Sequence, residues 1–278
     1  VGARFDSVEA LLASVDAALA GPWPAGVAHA AVFDADHTLW NGDIGDHAFL
    51  AAGAEGFLLP ETWRGPVRSW AEAWGLELSV DPAFGVRQLL EASASGVLEA
   101  TARARGLDGG AWRSALYSMQ AWAYAGRTRA EVHAFGEQLF ARGFEAHLYA
   151  DLRRVVEGLT ARGVRVCIAS ASHGALVLPG GTRLGLGAEW VWGMEPHLDD
   201  AGRTLPRLRQ DTYGAAKATT TQALLGGARP AWAFGDSVLH TDRELLACAV
   251  HGVAVAAKGA HRDAALASPS LRLFDPTE

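Results

Sequence analysis

Ala30-Ala31-Val32-Phe33-Asp34-Ala35-Asp36-His37-Thr38-Leu39 is an apolar run that stops abruptly on a carboxylate. Four apolar residues followed by a polar turn read as a buried strand entering a loop. Asp34 and Asp36 stand at i and i+2 on that turn, so two carboxylates can serve different roles on one reacting group. Asp34 is placed to attack phosphorus as a covalent nucleophile, and Asp36 to protonate the leaving oxygen. An adjacent Mg²⁺ would gather their oxygens and neutralise a phosphate. Taken alone, the same residues also describe a strand-ending turn with two solvated acids.

Four more β-like runs follow: Val164 to Ala169, Glu189 to Gly193, Ala231 to Phe234 and Val250 to Ala256. Helical stretches and turn signals separate them, which predicts an α/β fold, a Rossmann-like parallel sheet with helices on both faces. Polar residues end the first, second and fourth runs. In such sheets ligands bind at the carboxyl edge, so these ends should converge. Gly193 to Leu205, with Asp199-Asp200-Ala201-Gly202 inside it, predicts a hairpin turn.

Between Asp43 and about Phe144 the pattern changes to an Ala-, Trp- and Leu-rich stretch without a convincing strand. It is too long for a simple connection. The expected organisation is a catalytic core of residues 1–42 and 145–278 and an inserted α-helical cap of residues 43–144. Trp63, Trp70, Trp74, Trp112 and Trp122 fall in that cap. They suit packing between helices, and alternatively an aromatic box for a quaternary ammonium.

Composition narrows the partners. The chain has 278 residues, 50% hydrophobic content and a formal net charge of −7, so it offers no basic footprint for nucleic acid. No apolar stretch approaches the ~20 residues of a membrane span. At the N-terminus, Val8, Leu11, Leu12, Val15 and Leu19 follow helical spacing, with Asp6 and Glu9 resembling a capping box. Asp16 interrupts any apolar core of a signal peptide. Cys167 and Cys248 are the only cysteines, and Cys167 reads as a small buried hydrophobe, so a reducing, cytoplasmic setting is expected.

Three further signals stand in order after Asp34 and Asp36. Ser170-Ala171-Ser172 closes an apolar run with hydroxyls and free amides suited to phosphate oxygens, or to an ordinary helix cap. Lys217 follows on a predicted helix, in a chain whose only other lysine is Lys258. Ala233-Phe234-Gly235-Asp236-Ser237, with Asp242 beyond, brings more carboxylate to another strand end, or forms a plain turn.

The ordered set Asp34-x-Asp36-x-Thr38, Ser170, Lys217 and Gly235-Asp236 resembles the haloacid dehalogenase superfamily, over about residues 30–256. The resemblance implies Asp34 as nucleophile and magnesium ligand, and Asp36 as general acid and then base, its backbone carbonyl on the metal. It implies that Ser170 hydrogen-bonds the phosphoryl group and that Lys217 offsets charge. Asp236 would complete the protein ligands, and Asp242, six residues further, would support the metal through water. Thr38, Ala171 and Ser172 are expected to contact the substrate.

The insertion point resembles that of phosphoserine phosphatase-like enzymes. Asp43, seven residues past Asp36, matches the position of their substrate-contacting Glu, although no cap Arg matches their carboxylate-binding one. Dehalogenases lack the second acid of the pair, and phosphonate hydrolases use a cap lysine, which is missing here. The expected activity is hydrolysis of a small phosphorylated metabolite bearing an amine or hydroxyl. A phosphotransferase or phosphomutase, or a non-catalytic phosphate-ligand binding protein, remains open. His37, His173 and His240 each lie near a motif and are expected near the mouth of the site, hydrogen-bonded, exposed or on a second metal.

Overall fold

The computed structural model of the chain describes residues 4–107 and 110–277. Among them are eight strands: β1 (Arg4–Phe5), β2 (Val27–Phe33), β3 (Arg165–His173), β4 (Val191–Leu198), β5 (Thr204–Gln210), β6 (Arg229–Gly235), β7 (His251–Val255) and β8 (Leu271–Phe274). They form one sheet in the order β1-β8-β7-β6-β2-β3-β4-β5. Every neighbouring pair is parallel except the β4–β5 hairpin. Its turn is the expected one: the Asp199 N–H donates to the Arg203 carbonyl and the Gly202 N–H to the Asp199 carbonyl. Gly202 supplies the left-handed φ of +73° there.

Strand periodicity explains why the central runs are apolar throughout. On β2, Ala31 and Phe33 face one side and Ala30 and Val32 the other; on β3, Val166 and Ile168 alternate likewise with Cys167 and Ala169. Helices cover both faces. On one lie α1 (Val8–Leu19), α9 (Ala150–Ala161) and α10 (Gly174–Arg183), and on the other α11 (Ala215–Leu224), α12 (Arg243–Cys248) and α13 (Gly259–Ala267). Cys167 is fully buried, and burial pushes its thiol up to about 12. The cap of α1 differs from expectation. Ser7, not Asp6, is extended and accepts the Ala10 N–H at 3.1 Å, because Asp6 stands one residue too far from the first turn.

All regular elements described between β2 and β3 are helical. Before α9 they are, in order, α2 (Ile44–Ala54), α3 (Pro60–Thr62), α4 (Arg68–Ala73), α5 (Pro82–Ala94), α6 (Val97–Ala104), α7 (Ala111–Trp122) and α8 (Arg129–Ala141), with a π-helical turn at Trp63–Val67 and a 3₁₀ turn at Phe144–His147. α7 lies beside β3 and β5, and α8 against α10. The tryptophans here pack against neighbours: Trp63 is buried beside Phe49, and Trp70 sits 6.0 Å from Trp74. Among the described residues, none of these five tryptophans lines the cavity that holds Asp34. No described helix is long and apolar enough to cross a membrane.

Candidate active site

The order of the strands places the site. β2 lies between β6 and β3, and the chain departs from it in opposite directions along the sheet, which leaves a crevice at the carboxyl ends. Asp34 is the first residue past β2, and its N–H donates to the Phe234 carbonyl at 2.8 Å, tying the loop to β6. The loop then turns tightly. Thr38 and Leu39 return their N–H groups to the Ala35 carbonyl, while His37 adopts a left-handed φ of 59° and donates to the Gly42 carbonyl. Thr38, expected to face the ligand, is instead fully buried behind Asp34 and donates its hydroxyl to Asp34 Oδ2 at 3.1 Å.

Asp36 is held by four donors. Oδ1 accepts from Trp40 Nε1 at 2.9 Å and the Ile44 N–H at 2.8 Å; Oδ2 accepts from the hydroxyls of Ser170 at 3.2 Å and Ser172 at 2.7 Å. The two serines reach one carboxylate because β3 continues through His173, and residues i and i+2 of a strand share a face. This arrangement fixes the orientation of Asp36 between β3 and the loop that leads into α2.

Lys217, in the first turn of α11, is completely buried and donates to Asp34 Oδ1 and Asp242 Oδ1, each at 2.6 Å. Burial disfavours its charge, yet Asp242 and Asp34 together hold the ammonium above the usual lysine range. Asp242 spends its other oxygen on the Ser237 N–H at 3.0 Å, which braces the loop after β6. Gly235 must be glycine for this: a Cβ there would stand 2.6 Å from Asp242 Oδ2. Burial and then Asp242 push the Asp34 carboxyl up to about 7, against the pull of Lys217. Burial, with Asp242 and Asp34, pushes Asp236 well above its usual range.

Oxygens of Asp34, Asp236 and Asp242 lie within 4.8 Å of one another. Such hard oxygen donors, with two carboxyls reluctant to ionise in each other's company, fit a small divalent cation.

The model of haloacid dehalogenase-like hydrolases matches residues 31–247. The chain belongs to this family. No curated protein matches it. Among solved structures, a functionally unknown protein from Anaerococcus prevotii DSM 20548 is similar at 14% identity and TM-score 0.64, covering 98% of this chain and 92% of that one. A protein of unknown function from Bordetella pertussis Tohama I is similar at 20% identity and TM-score 0.61, covering 90% and 99%. These two likenesses bear on the fold. A substrate-bound phosphoserine phosphatase is also similar, at 14% identity and TM-score 0.48, covering 87% of this chain and 91% of that one.

In this hydrolase the cavity at the strand ends encloses about 100 Å³ and is lined by Asp34, Asp36, His37, Asp43, Ala171, Ser172, Asp236 and Asp242, with Tyr117, Ser237 and Thr241. Eight of these were singled out in the sequence. Ser170, Lys217 and Thr38 stand behind them. Asp43 does two things: it caps α2, accepting the Asp46 N–H at 2.8 Å, and it faces the cavity. Burial, then Asp36 and Asp46, hold its carboxyl well above the usual range.

Sequence reasoning missed Tyr117 and the Asp46–Gln120 pair, where Gln120 Nε2 donates to Asp46 Oδ1 at 2.7 Å. They come from α2 and α7, whose apolar spacing says nothing about which polar residue turns toward the core. The other two histidines do not enter the hydrolase cavity. His173 is buried and caps α10, and His240 packs edge-on against His261, 5.1 Å away.

Proposed function

We propose that this hydrolase cleaves phosphate monoesters of small metabolites, with Asp34 as nucleophile and Asp36 as general acid and base. The observation that carries the reading is the pairing of Asp34, held by Lys217 and Thr38, with Asp36, oriented by four donors at the same strand end. An Asp34 oxygen forms a bond to phosphorus as the bond to the ester oxygen breaks, and Asp36 gives that oxygen its proton. Asp36 then takes a proton from the water that attacks the phosphoaspartate, and the bond to Asp34 breaks to release phosphate. The Ser170 hydroxyl, turned from Asp36 Oδ2 toward the bound substrate, and the Ala171 N–H steady phosphoryl oxygens while Ser172 keeps Asp36 oriented, and the Lys217 charge counters the developing negative charge. Residues 43–144 act as the cap that closes the leaving-group side.

Asp34, Asp236 and the Asp36 carbonyl would hold Mg²⁺, with Asp242 supporting it while positioning Lys217. When bound, the ion neutralises charge on the phosphoryl oxygens. Activity is therefore expected to vanish on exhaustive chelation and to return with Mg²⁺. Asp236→Ala should raise the Mg²⁺ concentration for half-maximal rate by at least about 10- to 100-fold. Full activity in the chelated protein, measured as phosphate release, would refute the reading.

The cavity walls support a substrate class. Among the described residues, five carboxylates and no lysine or arginine line this space of about 100 Å³, so a leaving group carrying an amine, quaternary ammonium or hydroxyl is favoured over an anionic one. Asp43→Asn tests this cleanly, because Asn caps a helix about as well as Asp. On an amine-bearing phosphomonoester, kcat/KM should fall by about 10-fold or more, the loss of one charge-assisted contact. On a generic aryl phosphate it should change little. Equal losses on both substrates would leave Asp43 as a helix cap.

A further inference from the structure

Tyr124 and His173 are almost wholly enclosed, at 1% and 2% exposure, and each carries a polar atom without a hydrogen-bond partner: the Tyr124 hydroxyl and His173 Nε2. Their rings meet edge to face with centroids 5.9 Å apart. They come from opposite sides of a seam. Tyr124 lies just past the C-terminus of α7, and His173 ends β3 where α10 begins. Both line a small cavity of about 10 Å³, whose walls also include Gln120 and Ser172.

The tautomer of His173 follows from its other nitrogen. Nδ1 accepts the Ala175 N–H at 3.0 Å, which requires a bare nitrogen there, so the proton of the neutral ring sits on Nε2. Burial keeps the ring neutral, pressing its pKa down to about 4. Nε2–H is thus an enclosed donor without an acceptor, and native interiors rarely leave one bare. The Tyr124 hydroxyl, equally enclosed, needs a partner of its own. A cavity of this size and polarity suits one water, which requires roughly 10–15 Å³, and nothing larger.

We propose that a single internal water molecule sits between His173 Nε2–H and the Tyr124 hydroxyl, joining α7 to the β3–α10 corner. The water accepts from Nε2–H and donates to the tyrosine oxygen, which leaves one proton for the polar wall beside Gln120 and Ser172. The location matters because the neighbouring catalytic cavity is bounded by the same two elements, with Tyr117 from α7 facing Ala171 and Ser172 from β3. The bridge therefore sets the spacing of the cavity walls from behind, whatever substrate enters.

A crystal structure of the full chain, at a resolution that shows ordered solvent, tests this without any activity assay. One water peak within about 3.2 Å of both His173 Nε2 and Tyr124 Oη is the expected result. Empty density, a direct contact between the two side chains, or an anomalous peak there in bromide-soaked crystals would overturn the proposal. A double-mutant cycle gives a second measurement. Tyr124→Phe removes only the hydroxyl, and His173→Asn keeps an acceptor for the Ala175 N–H while removing Nε2–H. If one water joins the two groups, the urea midpoint of the double variant shifts by clearly less than the sum of the single shifts. Additive shifts would mean that no bridge exists.

Discussion

Asp34→Asn is expected to lower phosphate release by at least about 10⁴-fold, the scale seen when a covalent nucleophile is removed. The amide keeps the size of the carboxylate, can still accept from Lys217 and can donate to the Thr38 hydroxyl oxygen, but it does not attack phosphorus and brings no charge to a cation. The fold should survive. Asp34 is buried among like charges, with its carboxyl already pushed up to about 7, so neutralising it relieves repulsion from Asp242 and Asp36 rather than breaking a needed charge. Thermal melting followed by circular dichroism should therefore place the variant at or above the wild-type midpoint. Acid-quenched wild-type protein, caught during turnover, should carry one phosphoryl group on the Asp34 peptide in a mass spectrum. A folded Asp34→Asn protein with near wild-type activity would end the covalent mechanism.

Lys217→Met should damage both stability and activity. The substitution keeps an unbranched side chain of similar length but leaves Asp34 and Asp242 facing each other in an enclosed site without their shared cation. Removing one partner of such a group costs about 3–5 kcal/mol, far more than an exposed ion pair. Lys217→Met/Asp242→Asn should recover part of that stability and none of the activity, since the charge opposite Asp34 is still missing. A second expectation follows for the metal-free wild type. The Asp34 carboxyl binds its proton more tightly in the folded state, at about 7, than at its usual 3.8, so its contribution to stability is lost as pH rises through that window. Urea unfolding at several pH values checks both points, and an unaltered midpoint in Lys217→Met would refute the account of Lys217.

Much of the frame was open to inspection in the sequence because its causes are local. The run ending at Phe33 alternates between two buried faces, and the run ending at Ala169 does the same, so period and turn chemistry alone identify strands of a covered parallel sheet. The strand ends carry Asp34, Ser170 and Asp236, and parallel strands must place their carboxyl ends at one edge. The shortest strands escaped notice: β1 has two residues and β8 four, too few for any period to register.

Contacts between distant segments were decided only by the tertiary structure. Lys217 meets Asp34 from 183 positions away, and Ser172 meets Asp36 from 136. That Asp242 shares the lysine, that Thr38 turns behind Asp34, and that Trp63 packs beside Phe49 all depend on side-chain packing between elements. The same holds for Tyr117 and Gln120, which α7 presents along its seam with the core, and for Tyr124 just past its end. Its sequence predicts a helix, but the direction in which a helix turns each polar residue is set by the surface it packs against.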